Sequence, residues 1–140
     1  MLCGTKYLFR HNQICKYIHW CILKDLNFNV PPTWHAHVPE TTTVIGDTKV
    51  FWDYSIPTDK KVYHNRPDIT IFETKKKEVQ FIDVTVPSCR NITKKIAEKL
   101  TKYRDLEIEV QKCWNLNKTE TIPVAVGALG TVCNLSLIHI

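Results

Sequence analysis

Two aspartates on either side of a lysine-rich turn form the most specific chemical pattern in this chain. Residues 65–74 and 78–87 are rich in β-branched and aromatic side chains, and the lysines between them predict an antiparallel hairpin with a charged tip. A symmetric turn pairs Asp68 with Asp83 across the two strands. Opposed side chains have Cβ atoms about 4.5–5.5 Å apart, so the two carboxylates should lie side by side.

Two carboxylates this close repel each other. Either one of them takes up a proton, with a raised pKa, or a divalent cation lies between them. Hard oxygen ligands favour Mg²⁺ or Mn²⁺. Pro67 restricts the chain just before Asp68, whereas the same register also opposes Glu73 to Glu78, which is an unfavourable pair.

Lysines border the helix that is predicted to follow the hairpin. Apolar residues recur at helical spacing through residues 90–114, which predicts one helix with Asn91 as its cap. Lys99 falls inside the apolar stripe and Lys102 just beyond its edge. Either ammonium group could reach the aspartates and stabilise negative charge on a phosphate. The alternative is that the Lys99 stem is buried while its ammonium group extends to water.

The elements that must position these residues follow from the same periodicities. Residues 10–26 predict an amphipathic helix, residues 49–56 a strand and residues 121–128 a buried strand, whereas the Thr- and His-rich stretch before residue 49 predicts a loop. The predicted order is α-β-β-β-α-β. This order indicates one α/β domain with a mixed central sheet flanked by helices.

The charge distribution indicates what such a site would act on. The formal net charge is +5, but residues 60–104 alone hold 12 Lys/Arg and five Asp/Glu, so the rest of the chain is slightly acidic. A basic middle segment attracts polyanions, of which a phosphate backbone is the obvious one, although a solvated lysine-rich face is the alternative.

No apolar run approaches the length of a membrane span. The composition argues against disordered, fibrous and repeat architectures.

The spaced set RPD (66–68), IDVTVP (82–87) and EKLTKY (98–103) resembles the restriction-like endonuclease domain found at the C-terminal end of certain non-LTR retrotransposon polyproteins. That domain belongs to the PD-(D/E)XK nuclease superfamily. The likeness covers residues 10–132; residues 1–9 are then a remnant of an upstream region, and residues 133–140 a tail without a counterpart. The resemblance implies a restriction-endonuclease-like core.

The resemblance also implies roles for individual residues. Asp68 and Asp83 correspond to the two catalytic, metal-binding acids, and Thr85 stands where the superfamily pattern has lysine. The lysine is then supplied by the following helix, through Lys99 or Lys102. The residues expected at the substrate are Arg66, Lys75, Lys76, Lys77 and Tyr103.

Some members of the superfamily carry a further metal-binding acid on the first helix. Here that helix offers only His11, Gln13 and His19 before Asp25, so the ligand is absent or comes from Asp53 on the first strand. The number of metal ions, one or two, stays open.

The expected activity is Mg²⁺- or Mn²⁺-dependent hydrolysis of a phosphodiester, which nicks target DNA so that its 3′-hydroxyl primes reverse transcription. The expected partners are DNA and the upstream reverse transcriptase domain of a parent polyprotein. We expect an intracellular protein, nuclear when it acts on DNA, and no membrane association.

Three alternatives compete with this interpretation. The chain could be an inactive nucleic-acid-binding relic of such an element, or a structural module whose acids are incidental. A zinc site could form from two segments, since Cys15 and His19 are four residues apart on a helix and His35 and His37 follow.

Overall fold

The computed structural model describes residues 2–85, 92–126 and 132–133. Helix α1 comprises Leu2–Asp25, and a 3-10 turn at Trp34–Ala36 follows it. Strands β1 (Thr42–Ile45), β2 (Thr48–Trp52), β3 (Ile69–Glu73) and β4 (Glu78–Thr85) come next. Helices α2 (Ile92–Lys102) and α3 (Arg104–Cys113) separate them from β5 (Lys118–Val126) and β6 (Val132–Cys133). In the described ranges, no helix combines the length and the apolar character needed to cross a membrane.

The six strands form one mixed sheet in the order of the sequence. All neighbours are antiparallel except β4 and β5, which run parallel because α2 and α3 carry the chain back between them. The predicted α/β class and mixed sheet are confirmed.

The β3–β4 hairpin has the predicted register. Thr70 lies opposite Phe81, and the final backbone pair is Ile69 with Ile82. Asp68 and Asp83 therefore lie one position beyond this pair, at the end of the hairpin opposite its turn. The hairpin turn thus fixes which acidic residues meet.

Helices cover both faces of the sheet. On one face, α1 buries Cys15, Ile18, Ile22 and Leu23 against the β3 and β4 side chains that point toward it. The other face packs Phe81 and Val79 against Tyr103, Leu106 and Val110. Each fully buried aliphatic side chain contributes about 1.5–3 kcal/mol, so these two layers fix the helices above and below the hairpin end.

The single helix predicted over residues 90–114 is wrong, because the chain forms α2 and α3 with a break at Tyr103. Tyr103 has φ −100° and ψ 11°, outside helical geometry. Its ring is buried, and Leu100, which the stripe placed inward, is 45% exposed. Both helices pack on the same face of the sheet, so the apolar residues keep their helical spacing from one helix into the next. The spacing alone therefore does not show where the helix breaks. The predicted cap at Asn91 lies outside the described residues.

Strand β1 forms in the stretch predicted as a loop. It pairs with β2 through the two-residue turn of Gly46 and Asp47, where Gly46 has φ +58°. That conformation suits glycine and matches the twist of a tight hairpin. The strand predicted over residues 49–56 ends at Trp52, because Asp53 has φ +48° and turns the chain away.

The other predicted boundaries differ by a few residues. Helix α1 begins eight residues before the predicted start at residue 10. Strand β3 begins at Ile69, after Pro67, and β5 begins at Lys118, three residues before the predicted start. The predicted ends of two strands, residues 86–87 and 127–128, lie outside the described residues.

A buried pair of histidines joins α1 to the segment after it. His19 Nδ1 and His37 Nε2 are 2.7 Å apart, and the two rings stack with centroids separated by 5.0 Å. Burial and the neighbouring His37 lower the pKa of His19 to about 4. Burial also lowers the pKa of His37. The pair is therefore neutral at physiological pH.

We expect acid to destabilise the fold through His19. The unfolded residue titrates near pH 6.5, so between about pH 6.5 and 4 the unfolded chain takes up a proton that the folded chain excludes. From pH 7.5 to 4.5 the free energy of unfolding should fall by about 2–3 kcal/mol more in the wild type than in His19→Phe. Urea unfolding at each pH measures the difference, and the exposed His35→Gln serves as the control. Parallel pH curves for wild type and His19→Phe would contradict the assignment.

Candidate active site

The two aspartates lie together at the end of the hairpin, beside helices from both faces of the sheet. The Asp83 side chain is 3% exposed and that of Asp68 18% exposed. The two carboxyl groups are close enough that each perturbs the pKa of the other. The predicted juxtaposition of these acids is present in the structure.

Asp83 is held from the α2 and α3 side. Lys99 Nζ lies 2.6 Å from Asp83 Oδ2, and the Tyr103 hydroxyl donates a hydrogen bond of 3.1 Å to Asp83 Oδ1. The backbone carbonyl oxygen of Arg66, 3.4 Å from the same hydroxyl, is an alternative acceptor for its one proton. Burial and the charge of Asp68 raise the pKa of Asp83, while the Lys99 ammonium group acts in the opposite direction.

Asp68 is held from the α1 side. Its Oδ2 accepts a 2.7 Å hydrogen bond from the Val84 amide and a 3.1 Å hydrogen bond from His11 Nε2. Burial would raise the pKa of Asp68, but the hydrogen bond and charge of His11, together with the Val84 amide, outweigh burial and lower it. The hydrogen bond to Asp68 likewise raises the pKa of His11.

The two acids therefore have two cationic partners, one from each face. The Lys99 ammonium balances Asp83, and the imidazolium form of His11 balances Asp68. His11 Nε2 is also 3.1 Å from the Val84 carbonyl oxygen, so one N–H group faces two oxygen acceptors. Of the three polar residues that the sequence offered on the first helix, His11 is the one that hydrogen-bonds to Asp68.

The structure distinguishes between the two candidate helix lysines. Lys99 contacts Asp83, whereas Lys102 Nζ lies 5.0 Å from the centroid of the Tyr103 ring in a cation–π arrangement. Lys102 lies three residues after Lys99, close to the helix break, and its side chain therefore lies over the Tyr103 ring and not at Asp83.

The other residues predicted at the substrate do not contact the two acids: Arg66 lies beside the site, and the three turn lysines lie far from it. Arg66 makes a bidentate ion pair with Asp53, at 2.9 and 3.1 Å, between side chains that are both 57% exposed. Asp53 is thus engaged by Arg66. The Lys75, Lys76 and Lys77 side chains belong to the turn at the opposite end of the hairpin, and Lys76 pairs with Glu73. Lys77 and Asp83 are six positions apart along the chain, a span of roughly 20 Å in a strand.

The alternative zinc ligands do not come together as the sequence suggested. His19 pairs with His37, whereas Cys15 lies against His11, its sulfur 3.8 Å from Nε2. The exposed His35 stacks on Trp34. Among the described residues, the one group of three or more potential ligands is His11, Cys15 and Asp68. The four-residue spacing of His11 and Cys15 is a signal that could have paired them on one helix face, but nothing in the sequence connects that face to Asp68.

The donor set around the acids suits a hard divalent cation. Two carboxylates lie side by side at this end of the hairpin, and oxygen atoms are the ligands of Mg²⁺. A cation there would relieve the repulsion that raises the pKa of Asp83. The residues therefore fit the metal that the resemblance implies.

We expect Lys99→Met to destabilise the protein more than Lys102→Met. Removing the Lys99 ammonium leaves the buried Asp83 without its cationic partner, at a cost of about 1–3 kcal/mol given the partial exposure of the lysine. Lys102→Met loses only a cation–π contact worth about 0.5–1 kcal/mol. The loss in Lys99→Met should shrink as pH falls, because a protonated Asp83 needs no counter-charge.

Urea unfolding of both variants in the absence of divalent ions measures these losses. Equal losses, or a larger loss in Lys102→Met, would show that the Lys99–Asp83 pair does not carry this part of the stability.

Comparison of the chain with protein-family models, with curated proteins and with solved structures found no match. Its function is therefore inferred from the sequence motifs and from the geometry of the site.

Proposed function

We propose that this chain is a metal-dependent DNA endonuclease domain with a restriction-endonuclease-like core. The observation that carries the proposal is the convergence of Asp68, Asp83 and Lys99 at one partly exposed end of the β3–β4 hairpin. Two carboxylates for a metal and one ammonium for developing charge are the groups that phosphodiester hydrolysis requires. The α/β order, with one helix before the strands and helices before β5, supports the same core.

Asp68 and Asp83 would hold the metal through their carboxylates. When bound, Mg²⁺ or Mn²⁺ supplies Lewis-acid polarisation of the phosphate and a water of lowered pKa. Tyr103 and the Val84 amide orient the two carboxylates by hydrogen bonds to Asp83 and Asp68. These bonds limit the rotation of each acid and so prepare the donor geometry.

Lys99 takes the role that the superfamily pattern gives to a lysine after the second acid. Thr85 occupies that position here; it is buried, and its hydroxyl carries no charge. Lys99 reaches Asp83 from α2 instead, with its side chain 21% exposed. Its ammonium group can stabilise the negative charge that develops on a phosphate bound beside Asp83.

DNA binding is supported by the charge of the segment around the site. Residues 60–104 are strongly basic, and the Lys75–77 turn extends away from the acids along the hairpin. A duplex spanning both points would cover roughly 20 Å, or about six base pairs at 3.4 Å each. Arg66, beside the site, would contact the backbone after releasing Asp53. The role in target-primed retrotransposition, with an upstream reverse transcriptase domain as partner, is supported by the motifs alone.

Nicking of supercoiled plasmid tests the activity. With Mg²⁺ or Mn²⁺ we expect conversion of supercoiled to open-circular DNA, and none with EDTA. Asp83→Asn and Lys99→Met should each reduce the rate by at least about 100-fold, since each removes a group that stabilises the transition state. The matched control is Asp25→Asn, an exposed acid at the far end of α1, about 20 Å from His11 along the helix.

The outcomes separate the competing functions. Loss of nicking in Asp83→Asn but not in Asp25→Asn supports the endonuclease. Salt-sensitive DNA binding without nicking would support the inactive relic. Nicking that survives both Asp83→Asn and Lys99→Met would come from a contaminant or another site, and would overturn the proposal.

The basic turn should affect binding and not the chemical step. Replacing Lys75, Lys76 and Lys77 by Gln removes up to three phosphate contacts, so the slope of log K against log salt should fall by about two to three. Single-turnover nicking at saturating protein should stay close to wild type. Fluorescence anisotropy with a labelled duplex at several salt concentrations measures the slope. An unchanged slope would place the DNA elsewhere on the surface.

A further inference from the structure

A second set of ligands lies on the α1 side of the acids. His11 and Cys15 are four residues apart, so their side chains share one face of α1. That face points to Asp68, which directly precedes β3 and lies 57 residues after His11 in the sequence. One ligand atom from each of the three residues lies within 4.8 Å of the others. The helix and the hairpin end thus bring together an imidazole, a thiol and a carboxylate.

The spacing of these atoms is close to that in a metal complex. Zinc–nitrogen bonds of about 2.0–2.1 Å and zinc–sulfur bonds of about 2.3 Å at a tetrahedral angle give N···S roughly 3.5 Å and N···O roughly 3.3 Å. Here Cys15 Sγ is 3.8 Å from His11 Nε2, and His11 Nε2 is 3.1 Å from Asp68 Oδ2. Small side-chain rotations would therefore suffice to place one ion among the three.

We infer that His11, Cys15 and Asp68 form a binding site for a thiophilic transition metal of the Zn²⁺ class, separate in chemistry from the Mg²⁺ site. A thiolate and an imidazole select Zn²⁺ or Co²⁺ over Mg²⁺, which prefers oxygen ligands. Three protein ligands leave a fourth position open for water. The nearby Val84 carbonyl oxygen is a further candidate for it.

Protons balance in the binding step. The ion replaces the Nε2 proton that the His11 imidazolium now donates to Asp68; this proton leaves to solvent, and the ring becomes the neutral tautomer protonated at Nδ1. The Asn12 Oδ1, 3.4 Å from Nδ1, can accept that hydrogen. The Cys15 thiol loses its proton to solvent as the sulfur–metal bond forms. Without metal, burial and the two nearby aspartates raise the pKa of Cys15, so the sulfur is a thiol until a cation binds.

The site shares Asp68 with the proposed nuclease. A Zn²⁺ ion bound by His11 and Cys15 would draw the Asp68 carboxylate toward α1 and away from Asp83. Zinc should therefore inhibit Mg²⁺-dependent nicking. This regulatory consequence rests on the proposed function, whereas metal binding itself does not.

Titration with Co²⁺ under reducing conditions tests the site directly. The wild type should develop the near-ultraviolet thiolate-to-cobalt absorption band and the intense visible bands of a four-coordinate ion, and Zn²⁺ should displace both. Cys15→Ser should lose the charge-transfer band. Cys21→Ser is the matched control because Cys21 also lies on α1 and is only partly exposed, and it should keep the band. His11→Gln, which retains a donor toward Asp68, should lose the four-coordinate spectrum.

Near-ultraviolet circular dichroism checks that each variant is folded. A band that persists in Cys15→Ser, or that is lost equally in Cys21→Ser, would assign the metal to another cysteine and overturn the inference. The absence of any band in the folded wild type would do the same.

Nicking assays with added Zn²⁺ separate the site from the proposed function. With each variant normalised to its own rate without zinc, Cys15→Ser should need more Zn²⁺ for half-inhibition than the wild type or Cys21→Ser. Equal half-inhibition would overturn the regulatory consequence. If the wild type binds Co²⁺ through Cys15 yet never nicks DNA, the metal site stands and the nuclease proposal fails.

Discussion

The repulsion between the Asp68 and Asp83 carboxylates is the constraint on which the site depends. The hairpin register brings the two acids together, and burial strengthens their interaction by excluding water. Such a pair is stable only if cations or hydrogen-bond donors reach both members. Lys99 and Tyr103 reach Asp83, and His11 and the Val84 amide reach Asp68. The helices that pack on the two faces of the sheet supply these partners.

The sheet lies between the two cationic partners. His11 comes from α1 on one face, and Lys99 comes from α2 on the other, so each acid is satisfied from its own side. Tyr103 connects packing with electrostatics, because its ring is buried with Phe81 while its hydroxyl bonds Asp83. The break between α2 and α3 falls at this residue. The Tyr103 side chain therefore belongs both to the apolar core and to the polar cluster around Asp83.

Asp68 is the point at which two kinds of metal chemistry would meet. Toward Asp83 it faces oxygen atoms, which suit Mg²⁺, and toward α1 it faces an imidazole and a thiol, which suit Zn²⁺. His11 holds Asp68 on the α1 side when no metal is bound. The hydrogen bond and charge of His11 lower the pKa of Asp68 against burial, whereas burial and the charge of Asp68 raise the pKa of Asp83.

The sequence by itself determined the hairpin register, and hence the pairing of Asp68 with Asp83, because a tight turn and a two-residue strand period are local. It also identified the α/β class and placed a lysine within reach of the acids. Tertiary structure decided between Lys99 and Lys102, since that choice depends on where the helix breaks at Tyr103. It also decided that His11 and Cys15 face Asp68, a contact across more than 50 residues that no local period encodes. Local patterns fix which face a side chain occupies, and only packing between elements fixes what that face meets.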